Sequence, residues 1–184
     1  MASVPESAQR YFTEWLPRQG GARVAGPATA RIRVVVTGDG GGAWDLEAGP
    51  SGLTAGPQGT APAQASLELS VEDFRELFLG TSLAPAGVER SDLCFLNPQV
   101  RSLIGAAPGV VQLEIDGVAG RTWRMRVVFG DGAGTEPTTV TLPREAFTRL
   151  LTRESVPPAL MESGDLQFTG EPHLAMQLAL GLVP

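Results

Sequence analysis

Residues 65–80, ASLELSVEDFRELFLG, are echoed by residues 138–153, TTVTLPREAFTRLLTR, 73 positions further on. The match continues without a gap. Between residues 69–95 and 142–168, eleven of 27 positions are identical: Leu69/Leu142, Glu72/Glu145, Phe74/Phe147, Leu77/Leu150, Ser82/Ser155, Pro85/Pro158, Ala86/Ala159, Glu89/Glu162, Asp92/Asp165, Leu93/Leu166 and Phe95/Phe168. Unrelated segments of this composition would share roughly two. The pattern reads as a tandem duplication in which each copy is one folding unit.

The same physics runs through both copies. Residues 65–69 alternate as a strand, with Leu67 and Leu69 on one face. Ser70 stands at a helix N-cap, and Asp73 occupies the third position, where its charge also suits the helix dipole. Phe74, Leu77 and Phe78 follow at i, i+3 and i+4 as an apolar stripe, and Gly80 closes the helix. In the second copy, 138–142 is the strand, Pro143 opens the helix 143–152, and Phe147, Leu150 and Leu151 carry the stripe.

Outward from this element, residues 31–36 read as a strand, Thr37 to Gly42 as a turn, and 43–47 as the returning strand with Trp44. The glycine run is not a phosphate loop, because no Lys follows it and a strand comes next. Residues 48–64 read as a loop or irregular edge. The second copy repeats the hairpin over 110–115 and 122–129, where Trp123 corresponds to Trp44, and turns again at Gly130–Gly132. The first copy continues with a short helix 84–90, a strand 92–96 and a short helix 98–104. The second has a helix 157–162, a strand 165–169 and a terminal helix 172–182, apolar on nearly every side. A helix that apolar is buried, or closes over something apolar. The order predicts an α+β layer, a largely antiparallel sheet covered on one face by helices.

Ahead of the copies, Ser3 to Glu6 has the spacing of a capping box. Tyr11, Phe12, Trp15 and Leu16 form one apolar stripe, and Pro17 with Gly20-Gly21 ends the helix. This helix is expected to pack on the body of the domain, the other reading being a partner-docking helix. The domain plan is therefore 1–29 as N-terminal helix and linker, 30–106 as the first repeat, and 107–184 as the second.

Net charge is −6, and all 14 basic residues are Arg. An acidic balance without a basic cluster argues against nucleic acid and anionic membrane surfaces. The nearest thing to a basic patch is Arg121, Arg124 and Arg126, of which the last two share a strand face as solvated charges. No apolar run approaches the roughly 18 residues of a membrane span, and the first residues lack a signal-peptide pattern. Cys94 is the only cysteine, which excludes an internal disulfide and fits a reducing compartment. A soluble, cytoplasmic protein is expected.

Catalytic chemistry finds little support. His173, the only histidine, reads as an exposed first-turn residue, and Cys94 as packed in its strand. One His and one Cys exclude a zinc site of the usual kind. No metal, no cofactor and no catalytic residue is expected. The recurring carboxylates Glu72/Glu145, Glu89/Glu162 and Asp92/Asp165 read as helix caps, since one active site needs no copy of itself. Asp45 and Glu68 are left as acid/base groups should a pocket exist.

This element order, with these residues, resembles the sterol carrier protein 2 family of lipid-binding domains. The resemblance rests on Trp44-Asp45 in a strand, the Ser70-x-x-Asp73-Phe74 helix start and the helix-ending Gly80. It rests also on Gly164-Asp-Leu-Gln-Phe-Thr-Gly170 ahead of a final apolar helix. It covers roughly residues 30–104 and 110–184. Each half is shorter than a family domain, so the expected architecture is two such units packed as an intramolecular pseudo-dimer. The resemblance implies a cavity for an apolar ligand lined by Phe74, Leu77, Phe78, Phe147, Leu150 and Leu151. Met176 and Leu180 of the terminal helix would be wall residues. The leading reading is a non-catalytic carrier of an apolar small molecule such as a lipid, steroid or polyketide-like compound. The alternatives are a structural or protein-interaction module with a filled core, and an isomerase or cyclase using the fold as a chamber. The last predicts a raised pKa at Asp45 or Glu68.

Overall fold

The glycine-rich turn at residues 38–41 joins β1 (Ala30–Thr37) to β2 (Gly42–Gly49), antiparallel with Val34 opposite Trp44. Gly41 has no alternative here, because a Cβ on it would stand 2.1 Å from the Val36 carbonyl oxygen. The computed structural model describes residues 6–20, 30–50, 52–80, 83, 108–132, 136–171 and 173–176. Within the stretch read as an irregular edge lies β3 (Gly52–Pro57), antiparallel to β2. β4 (Ala65–Ser70) then returns parallel to β1.

α1 consists of an α-helical start Ala8–Arg10, a π-helical stretch Tyr11–Trp15 and an α-helical end Leu16–Gly20. Its cap is Ser7, whose hydroxyl accepts from the Arg10 N–H at 3.3 Å; the box expected at Ser3 lies outside the described residues. Pro17 does not end the helix as expected. The Leu16 N–H closes the π stretch on the Tyr11 carbonyl. Pro17 therefore falls at the start of a fresh α-helical stretch, where a missing N–H is tolerated. α2 starts at Val71–Phe74 and continues π-helically over Arg75–Leu79. The Ser70 hydroxyl caps it, accepting from the Asp73 N–H at 3.0 Å and donating to the Asp73 carboxylate at 2.9 Å. At the other end the Gly80 N–H reaches the Arg75 carbonyl at 2.6 Å.

The second half opens with the hairpin β5 (Gly109–Val118) and β6 (Arg121–Phe129). β7 (Thr138–Pro143) runs parallel to β5, followed by α3 (Arg144–Leu151), α4 (Pro157–Glu162) and β8 (Gln167–Thr169), antiparallel to β7. Pro143 is the N-cap of α3 rather than its first helical residue. Residues 173–176 are helical. The segments read at 84–90, 92–96 and 98–104, and the remainder of the terminal helix, lie outside the described residues.

The chain does not form two units facing each other. Its described strands form one eight-stranded sheet in the order β3-β2-β1-β4-β6-β5-β7-β8. The seam is β4 on β6, antiparallel, with Ala65 opposite Phe129 and Glu68 opposite Arg126. Left apart, β4 and β6 would each present an edge of unpaired backbone groups; joining them satisfies both. The sheet is mixed rather than largely antiparallel, since β1–β4 and β5–β7 are parallel. The two halves have the same connectivity around these pairs. Ile32 faces Ala65 in the first half, and Val111 faces Thr138 in the second.

Alternation sorts the strands into two faces. Ile32, Val34, Val36, Leu46, Leu67, Leu69, Val111, Leu113, Ile115, Trp123, Met125, Val127, Val140 and Leu142 are buried and belong to one core cluster with the helix stripes. The opposite face carries the charges.

Candidate functional site

Phe74, Leu77 and Phe78 are buried on the helix-covered face, and rings from α1 fill the space against them. Tyr11 meets Phe74 edge-on at 5.4 Å and Phe78 at 5.6 Å, Phe12 stacks on Trp44 at 5.0 Å, and Phe74 stacks on Phe78 at 5.0 Å. Offset and edge-on rings at these separations add to the gain from burial. Tyr11, Phe12 and Leu16 are fully buried, so α1 packs on the body of the domain. No ring contact of this kind was legible from either segment alone.

In the second half, Phe147, Leu150 and Leu151 of α3 are buried in the same cluster. Ala175 of the terminal helical segment is buried, Leu174 packs on the core, and Met176 is half-buried. This segment comes down on the sheet over β5, where a Cβ at Gly109 would stand 2.6 Å from Leu174 Cδ2. Leu180 and Cys94 lie outside the described residues. His173 is exposed at the start of the segment, as its position predicted.

Among the described residues, the opposite face carries four Arg–carboxylate pairs. Each joins residues directly opposite on neighbouring strands: Arg31 with Glu47, Arg33 with Asp45, Arg126 with Glu68 and Arg124 with Glu114. Arg33 is bidentate, with Nε donating to Asp45 Oδ1 at 2.8 Å and Nη2 to Oδ2 at 3.1 Å. The loop after β3 folds over this pair. The Gly59 N–H donates to Asp45 Oδ2 at 2.9 Å, while Arg33 Nη2 reaches the Gly59 and Ala61 carbonyls at 3.1 Å. The side-chain hydrogen bond from Arg33, joined by that N–H, outweighs desolvation and holds the Asp45 carboxyl below its ordinary range. Asp45 therefore moves opposite to the direction an acid catalyst requires. Glu68 is taken up by Arg126 at 3.0 Å.

Two depressions open on this face over β1, β2 and β3, about 340 and about 400 Å³ in volume, sharing Arg31, Glu47 and Thr54. Their linings are charged and polar alongside Ala and Pro, a poor match to an apolar guest.

The halves are fastened at the start of α2. The Asp73 carboxylate pairs with Arg121 of β6, and the Asp73 carbonyl accepts from the Trp123 indole at 2.7 Å. Arg121 thus works as a tie, not as part of a basic patch. Of the recurring carboxylates, Glu72 and Glu145 lie in first turns of their helices. Asp165 does otherwise. It accepts from Arg149 of α3 at 2.6 Å and from Ser163 at 3.0 Å, and those bonds, Arg149 first, hold its carboxyl below the usual value. Glu162 is the last residue of α4, and Glu89 and Asp92 lie outside the described residues. No helix among the described residues is long and apolar enough to cross a membrane.

No family model matches the chain, and no curated protein matches it. Among solved structures it is similar to the apo form of Sterol Carrier Protein 2 from Yarrowia lipolytica. That match has 18% identity over 37% of this chain and a TM-score of 0.30, and spans 66% of the other protein, just under two-thirds of its length. It is also similar to a UbiJ-SCP2 ubiquinone synthesis protein, with 10% identity over 88% of this chain, 72% of the other, and a TM-score of 0.26.

Proposed function

We propose that this protein is a non-catalytic carrier or binding protein for an apolar small molecule of the lipid, steroid or polyketide-like class. The guest lies between the helices and the apolar face of the sheet. It is held mainly by burial of its surface, at about 25 cal/mol per Å² removed from water. The reading treats the two halves as copies of one unit and assigns the lining to Phe74, Leu77, Phe78, Phe147, Leu150, Leu151, Met176 and Leu180. One observation carries it. Among the described residues, the stripes of both halves (Phe74, Leu77, Phe78, Phe147, Leu150 and Leu151) belong to one core cluster with the apolar face of the sheet. Their order along the chain is the one in which the sequence resembles the sterol carrier protein 2 family.

A second reading has its own support. In the first half the rings of Tyr11 and Phe12 occupy the surface against Phe74 and Phe78. A filled core of this kind favours a structural or protein-interaction module. An acid/base enzyme is disfavoured by the lowered pKa of Asp45.

Native mass spectrometry of freshly purified protein, set beside the denatured mass, separates the two. The carrier reading predicts added mass that extracts into organic solvent. A bare mass that stays bare after incubation with fatty acids and steroids would overturn it in favour of the interaction module.

A further inference from the structure

Among the described residues, the indole nitrogen of Trp15 is buried and has no hydrogen-bond acceptor. Buried donors are nearly always paired, and one left alone asks for its missing partner. The chain pairs its deepest indole, Trp123, with the Asp73 carbonyl at 2.7 Å. Trp15 is different. Its ring stacks on Tyr11 at 5.0 Å and packs on the core while the residue as a whole stays half-buried. The stretch that carries it lies against the edge strand β3, whose Ala55 is likewise half-buried on the core.

A second observation points to the same place. Trp15 ends one π-helical stretch, Tyr11–Trp15, and a second, Arg75–Leu79, meets it through Tyr11 and Phe78 at 5.6 Å. π-helical turns are rare and recur at functional sites. Here two of them share one aromatic cluster.

We propose that the Trp15 indole N–H is the polar anchor of the guest, donating to an uncharged oxygen acceptor on an otherwise apolar molecule seated at the rim between α1 and β3. A ketone, ester or hydroxyl oxygen meets that description, because a neutral donor does not select a charged group. The inference rests on the carrier reading above and adds to it the one polar feature the ligand must have.

The test titrates full-length 15N-labelled protein with hexadecan-2-one and, separately, n-hexadecane. Binding is read by native mass spectrometry, and the three indole signals by NMR, with Trp15→Phe assigning the first. The ketone is expected to bind about 2–10-fold tighter than the alkane, the worth of one net hydrogen bond. The Trp15 signal should move downfield with the ketone alone, and Trp15→Phe should abolish the preference. Equal binding of both compounds with the Trp15 signal unmoved overturns the anchor and leaves the carrier reading standing. Binding of neither overturns the anchor together with the carrier reading for such chains. A Trp15 indole already protected from hydrogen exchange without ligand also overturns the anchor, since its acceptor then lies in the protein. Should Trp15→Phe fail to fold, the ketone–alkane comparison on the unaltered chain decides alone.

Discussion

Trp123, in the second half of the chain, donates its indole N–H to the backbone carbonyl of Asp73, in the first, at 2.7 Å and out of contact with water. The bond crosses the seam between β4 and β6 and pins the start of α2 to the neighbouring hairpin. Trp123→Phe would leave that carbonyl short of a partner and open space beneath the helix. A loss of about 1–3 kcal/mol is expected, read as a lower denaturant midpoint with an unchanged slope. An unchanged midpoint would show that the halves hold together without this tie.

Phe12 tests whether α1 belongs to the core. Its ring is fully buried between Trp44 and Phe74, with centroids at 5.0 and 5.3 Å. Truncating such a ring to Ala typically costs about 3–5 kcal/mol. Equilibrium unfolding of Phe12→Ala should give a figure in that range, whereas a loss below about 1 kcal/mol would mark the helix as an appendage.

Asp45 governs part of the acid limb of stability. Its folded pKa is depressed, chiefly by the hydrogen bond from Arg33. The stabilisation is therefore present above the unfolded carboxylate value, about 4, and is lost as pH falls through the folded value. Asp45→Asn should be less stable than the parent at pH 7, with the gap closing as the pH drops below about 4. Urea midpoints at a series of pH values check the sign; a gap that widened in acid would contradict it.

Arg153 follows α3 with a positive φ of 60°, whereas the residue that closes α2 is Gly80. The Glu154 N–H bonds to the Arg149 carbonyl at 2.9 Å, and the Arg153 N–H to Leu150 at 3.2 Å, so the helix ends in a left-handed turn. Glycine enters that conformation without the clash a Cβ brings. Arg153→Gly should raise stability by about 0.5–1 kcal/mol, seen as a higher melting temperature. A fall would mean that the arginine side chain contributes more than its backbone strain costs.

Much of the fold was legible because its signals are local. The alternation of 65–69, the Ser70 cap and the spacing of Phe74, Leu77 and Phe78 report on residues within a turn or two, and the structure bears out each. The hairpin around Gly38–Gly41 follows from the same short-range rules. Pro17 misled, because a π-helical stretch ahead of it moved the hydrogen-bond register in a way composition does not announce. β3 was missed since GLTAGP carries little β-branched character; the backbone of β2 recruits it, with Ala48 opposite Leu53 and Leu46 opposite Ala55.

The candidate site divides along the same line. By itself the sequence determined which side chains are apolar and which helix turns carry them. Only the tertiary structure decided that these turns share one face of one sheet, that α1 brings Tyr11 and Phe12 onto the first stripe, and that Arg31, Arg33, Arg124 and Arg126 on the other face each stand opposite a carboxylate. The reason is reach. Capping, alternation and helical spacing act across a few residues, whereas the β4–β6 seam, the contacts of Tyr11 and Phe12 with Trp44, Phe74 and Phe78, and the Asp73–Trp123 bond join positions about thirty or more residues apart, where register between distant strands, rather than neighbouring sequence, sets which groups meet.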